Sequence, residues 1–251
     1  RSESIREIVD EINASVSTRT RKKRVFLNRG RELDRFQLAA DTARVIYVVG
    51  MQGIGKTSFV EEAARTKAGR PYIRIGIRAA HDMELLARQV IAECEQPQPD
   101  PDMPDDVLAE TAIWALGLHQ QAKGTFLVLD DAENALDEQN RFRPFIADFI
   151  GRYSNGDFEY PIVIIANRPP EVAIEQLSVS YTLEVPWLPR EFILPLIQHW
   201  YKSSKGDDSK LDVTQLEPLV EHIGGHPLAA QLLASYLLFE TPALLARSRF
   251  I

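Results

Sequence analysis

The chain has 251 residues, 45% hydrophobic and 26% charged, with 13 glycines and 15 prolines, proportions of a folded globular protein that exclude collagen, coiled-coil and low-complexity classes. A formal net charge of −7 weighs against nucleic acid as a partner. The single cysteine, Cys94, excludes an internal disulfide or a cysteine-based zinc cluster and fits a reducing, cytoplasmic setting.

In chain order, Ser4 and Glu7 have capping-box spacing, and Ile5, Ile8, Val9, Ile12 and Val16 recur at helical intervals, which predicts an amphipathic helix over residues 4–16. The basic stretch Arg19, Arg21, Lys22, Lys23, Arg24, Arg29 and Arg31 reads as a solvated linker. Arg31 to Ala43 is predicted helical. Val45 to Val49 is a β-branched run ended by Gly50, the mark of a strand buried on both faces. Helix is then expected over Lys56 to Thr66, strand over Tyr72 to Ile77 and helix over Asp82 to Cys94. The proline-rich stretch Gln96 to Pro104 is predicted as a surface loop, closed by Asp105 and Asp106 capping a helix to about Gln121. Phe126 to Asp130 and Ile162 to Ala166 read as strands, and both runs are far shorter than the roughly 20 residues that cross a bilayer. No membrane partner is expected. Pro144 to Tyr153 reads as helix and Tyr181 to Val185 as the last strand.

Strands alternating with helices predict a parallel sheet with helices on both faces. From residue 190 onward only helical periodicity remains, over Phe192 to Tyr201, Val213 to Ile223, Leu228 to Phe239 and Pro242 to Arg249. The expected organisation is a linker over 1–24, an α/β domain over 25–187 and a small helical domain over 188–251. The chain starts at Arg1 and stops at Ile251 straight after an apolar helical pattern, which reads as a piece of a longer protein.

Gly50-Met51-Gln52-Gly53-Ile54-Gly55-Lys56-Thr57 fits G-x-x-x-x-G-K-[ST] between a buried strand and a helix, where glycine N–H groups and a helix N-terminus can cradle phosphates. Gly50, Gly53, Ile54, Gly55, Lys56, Thr57 and Ser58 are the expected nucleotide-binding residues. Lys56 would reach the β and γ phosphates, and Thr57 would offer its hydroxyl to Mg²⁺. The apolar strand ending in Asp130-Asp131 supplies the second motif, with Asp130 expected to hold Mg²⁺ and Asp131 to polarise an attacking water. Together they predict the additional-strand class of P-loop NTPase, followed by the helical domain. A GTPase would need an Asn-Lys-x-Asp guanine reader, and the sequence contains none. Arg168, just beyond the next strand, is expected to face the γ-phosphate.

With Asn28-Arg29-Gly30-Arg31-Glu32-Leu33 ahead of the first strand and Gly225-His226-Pro227-Leu228-Ala229 in the helical segment, these motifs resemble the NB-ARC branch of STAND P-loop ATPases, the nucleotide-binding modules of NLR-like receptors. The resemblance implies an ATP/ADP switch with Mg²⁺ that self-associates when ATP-bound, signals through a linked effector and hydrolyses ATP slowly for reset. It gives Pro227 a place against the base and ribose. The helix over 4–16 looks like the segment that follows a TIR effector domain, as in bacterial defence proteins. A winged-helix domain and a sensor would follow downstream, outside this chain. Two departures stand out: Ala166-Asn167 where the family commonly has Thr or Ser before the arginine, and His226 where leucine is commoner. The alternatives are an AAA+ ATPase that remodels DNA or protein, and a STAND-type transcription regulator.

Overall fold

The computed structural model describes residues 29–171, 179–205, 211 and 213–247. The expected helix over 4–16 and the basic residues up to Arg24 lie outside that range. Within it the chain divides into two compact units, one of Asn28–Pro189 together with Gly225–Ala229, the other of Arg190–Gly224 and the residues from Ala230 onward.

The first unit is a five-stranded sheet. Its strands are β1 (Val45–Val49), β2 (Tyr72–Gly76), β3 (Phe126–Asp130), β4 (Ile162–Ala166) and β5 (Ser180–Glu184), in the order β2-β3-β4-β1-β5. All pairings are parallel, with Val49 level with Ala166 on one side and Glu184 on the other. The three central strands are buried at every residue, as expected where helices cover both faces, whereas edge strands β2 and β5 keep exposed positions. β4 lies between β1 and β3. The phosphate-loop strand and the acidic strand are therefore separated by one strand, which defines the additional-strand P-loop class.

The α-helices α1 (Gly30–Thr42), α2 (Lys56–Ala63), α3 (Met83–Glu93), α4 (Asp105–Lys123) and α5 (Pro144–Asn155) and the first turn of α8 (Pro227–Tyr236) also belong to this unit. One core joins α3, α4 and α5 to the sheet through Leu86, Val90, Leu116, Phe149 and Tyr153. Tyr153 stacks on Phe158 with ring centroids 4.2 Å apart and accepts a hydrogen bond from Gln120 at 2.9 Å. Cys94 is buried in this core, and burial pushes its thiol up to about 12.

Three local readings are refined. The helix expected over Lys56 to Thr66 is α-helical only to Ala63, and a π turn over Ala64–Ala68 finishes it. Asp105 and Asp106 do not cap α4; Pro104 holds the N-cap position and both carboxylates lie in the first turn, beside the helix's positive end. The helix expected over Val213 to Ile223 is a 3₁₀ turn, Val213–Gln215, followed by α7 (Glu217–Ile223), because Pro218 is accommodated only in a first turn.

The second unit contains α6 (Ile193–Lys205), α7, the rest of α8 and α9 (Pro242–Arg247). Ile193, Leu196, Ile197, Leu216, Leu219 and Leu233 are among its buried apolar positions. No helix among the described residues is long and apolar enough to cross a membrane.

Candidate nucleotide-binding site

β1 passes into α2 through Gly50 to Gly55. Gly55 is the N-cap of α2 and adopts φ 95°, a left-handed conformation that only glycine takes without strain, and the space where its Cβ would stand is open. No side chain caps the first N–H groups of α2. They are the donors a helix N-terminus leaves without intrahelical partners, and they carry its partial positive charge. Ile54 is buried beneath the loop and Ser58 is exposed in the first turn of α2.

Lys56 is buried, and its ammonium donates to Gly50 O at 2.8 Å, Met51 O at 3.1 Å and Asn167 Oδ1 at 2.9 Å. Burial holds this ammonium below the usual lysine range, and the charges of Glu133, Asp130 and Asp131 oppose that shift. Thr57 donates its hydroxyl to Asp130 Oδ2 at 3.0 Å. Asp130 is buried at the carboxyl end of β3, its Oδ1 accepts the Asp131 N–H at 2.9 Å, and Arg74 on β2 reaches Oδ2 at 2.7 Å. A hydroxyl and a buried carboxylate side by side at a phosphate loop fit a hard cation that takes its remaining ligands from phosphate and water. Thr57 and Asp130 are thus the residues that would hold Mg²⁺, whose charge would offset that of the phosphates. Among the described residues no cluster of three or more His, Cys, Asp or Glu could hold a metal without such help.

The structure brings Asn167 into the site, a residue that the sequence marks only as a departure from the family pattern. It directly follows β4, and because β4 adjoins β1 its amide meets Lys56. The available signal was a polar side chain ending a wholly apolar strand. Arg168, one residue on, is exposed. Asp131 is also exposed and adopts φ 55°.

Pro227 begins α8, and the segment around it lies on the phosphate loop. His226 Nε2 contacts Gln52 O at 2.8 Å, Leu228 N–H donates to Gly53 O at 3.3 Å, and Ala229 N–H donates to His226 Nδ1 at 3.2 Å. A carbonyl only accepts and a backbone N–H only donates, so these bonds select the Nε2–H tautomer. The segment is held from behind as well: Leu188 N–H donates to Gly225 O at 3.0 Å, and Trp187 packs edge-on against His226. A Cβ on Gly225 would stand 2.1 Å from Leu188 O, so the first residue of Gly-His-Pro must be glycine.

A β2-β3-β4-β1-β5 sheet, a phosphate loop on β1 and a buried aspartate ending β3 define an α/β P-loop NTPase. The family model for Novel STAND NTPase 6 matches residues 26–153, just over half of the chain. The chain belongs to that family, the signal-transduction P-loop ATPases with numerous domains. A comparison with curated proteins finds no significant match.

Among solved structures the chain is similar to a Walker-type ATPase of Pyrococcus abyssi, with TM-score 0.65, 13% identity, and coverage of 90% of this chain and 72% of that one. It is similar to a STAND protein with a tetratricopeptide-repeat sensor from Pyrococcus horikoshii at TM-score 0.56 and 17% identity, spanning 85% of this chain and 30% of that one. Cdc6p of Pyrobaculum aerophilum aligns at TM-score 0.63 and 15% identity, over 92% of this chain and 65% of that one. At these identities the likeness is one of fold.

Proposed function

We propose that this chain is the nucleotide-binding module of an ATP/ADP switch of the NB-ARC kind. ADP is held at rest, ATP replaces it, the module then self-associates, and slow hydrolysis resets it, with output through a linked effector such as an upstream TIR domain and control by downstream winged-helix and sensor domains. The observation that carries this reading is the placement of Gly225-His226-Pro227-Leu228. This segment is bonded to the phosphate loop at Gln52 and Gly53, yet its helix, α8, continues into residues of the second unit. What binds at the loop therefore bears on a segment covalently continuous with the helical unit. In this reading the N–H groups from Gly50 to Ser58 and the Lys56 ammonium take the phosphates, Thr57 and Asp130 take Mg²⁺, Pro227 lies at the base and ribose, and Arg168 reports the γ-phosphate.

A second reading is an AAA+ type remodelling ATPase or a STAND-type transcription regulator. It is favoured by Asn167, whose amide on Lys56 puts a neutral polar group at the end of β4 where it could face a γ-phosphate.

Lys56→Ala tests the shared core of both readings. Removing the ammonium leaves phosphate charge uncompensated, so calorimetry should show ADP and ATP binding lost while circular dichroism stays that of the parent. Equal affinity in the variant overturns the site.

A further inference from the structure

β3 is followed by a 3₁₀ turn, Ala132–Ala135, with one acidic residue, Asp131, at its N-cap and another, Glu133, within it. Asp131 lies at its N-cap with φ 55° and is exposed. It lines a cavity of 480 Å³ with Arg74, Arg78, Gln89 and Asn134, at the end of edge strand β2. The turn is pinned by the wholly buried Ala132 and Ala135 and by Asn134 Nδ2, which donates to Ile77 O at 2.9 Å. Glu133 has the opposite surroundings. Its Oε2 is sealed from solvent and has no hydrogen-bond partner among the described residues, an arrangement rare in folded proteins unless a ligand or a reaction uses the atom. Of the three carboxylates whose charge acts on the Lys56 ammonium, Glu133 acts most strongly, ahead of Asp130 and Asp131.

Resting on the nucleotide-site reading above, we propose that Glu133, and not Asp131, is the carboxylate that takes the proton from the attacking water. The water oxygen forms a bond to Pγ as one of its protons passes to Glu133 Oε2. The bond from Pγ to the bridging oxygen breaks, and its electron pair leaves on the β-phosphate of ADP. The proton on Glu133 is then lost to inorganic phosphate or solvent. Asp130 stays with Thr57 throughout and takes no proton. A carboxylate oxygen without a donor is free to accept a water proton, whereas Asp131 lines a cavity that it shares with the guanidinium-bearing Arg74 and Arg78.

The test compares the parent chain, Glu133→Gln and Asp131→Asn, each measured for ATP affinity by calorimetry, thermal unfolding, and single-turnover phosphate release with Mg²⁺. Glu133→Gln keeps shape and removes the basic oxygen. It should bind ATP within about threefold of the parent while phosphate release falls by about 100-fold or more, the scale of a lost general base. Asp131→Asn should lose less than about tenfold. A larger loss in Asp131→Asn than in Glu133→Gln overturns the assignment. So does loss of ATP binding in a folded Glu133→Gln, which would make Glu133 a support for Lys56. If Glu133→Gln unfolds, Glu133→Asp is measured in its place and should again bind ATP with slowed release. A parent that binds ATP and never releases phosphate also overturns it, whereas a parent that binds no nucleotide refutes the underlying site.

Discussion

Asp130 Oδ2 takes a hydroxyl from Thr57 at 3.0 Å and a guanidinium from Arg74 at 2.7 Å. The arginine supplies the positive charge that a buried carboxylate needs, at the place where a bound cation would supply it. Arg74 also reaches Glu61 on α2 at 3.8 Å, so its release would not leave it without an acidic neighbour. Breaking a fully buried ion pair costs about 3–5 kcal/mol, but the Arg74 side chain is 45% exposed and solvent screens it. Arg74→Ala should therefore destabilise the nucleotide-free chain by about 1–2 kcal/mol. With saturating Mg²⁺-ADP the deficit should shrink, because the cation takes over the compensation of Asp130. Thermal unfolding with and without Mg²⁺-ADP checks this, and an equal deficit in both conditions contradicts it.

Among the elements, α1 buries Leu33, Phe36 and Ala39, of which Phe36 is the largest. Phe36 is buried, meets Phe59 of α2 edge-on with centroids 6.0 Å apart and lies 6.4 Å from Phe126 of β3. Truncating a buried phenylalanine leaves a cavity as well as losing transfer free energy, so Phe36→Ala should cost about 3–5 kcal/mol in urea unfolding. A cost under about 1 kcal/mol would mean that α1 contributes little to this core. The elements that build the frame of the site were legible because their signals are local: Val45–Val49, Phe126–Asp130 and Ile162–Ala166 are apolar runs whose ends carry Gly50, Asp130 and Asn167. Which of those ends face one another was less so. That β4 lies between β3 and β1 is a long-range fact, and the contact between Asn167 and Lys56 follows from it and from no spacing in the sequence. His226 illustrates the same point, since its partner Gln52 is 174 residues away. The change from α-helix to π turn at Ala64 depends on how the last turn is closed by Arg70 N–H donating to Ala64 O, a bond that helical periodicity does not encode.

At the scale of the whole molecule the question is how binding one small ligand in place of another can change the state of the chain. A ligand shifts an equilibrium only by the difference in its affinity for the two states, and reversing a 1:99 population takes about 5.5 kcal/mol of such difference. On the switch reading ADP and ATP would share the β-phosphate contacts at the N-terminus of α2, which are therefore poor discriminators. On that reading the difference arises where the γ-phosphate alone would reach, and Asn167 and Arg168 at the end of β4 are the residues proposed to meet it. The chain spans only 30% of the length of the tetratricopeptide STAND protein it resembles; on the switch reading the two nucleotides are expected to act weakly on the chain by itself. Sedimentation of the chain should then show a monomer or weak oligomer with ADP and a small shift, at most, with a non-hydrolysable ATP analogue. Steady phosphate release should stay well below the roughly 1–100 s⁻¹ of kinases, because a switch reset by hydrolysis holds its signal only as long as ATP survives. Stable rings with either nucleotide, or rapid continuous turnover, would replace the switch with a remodelling ATPase.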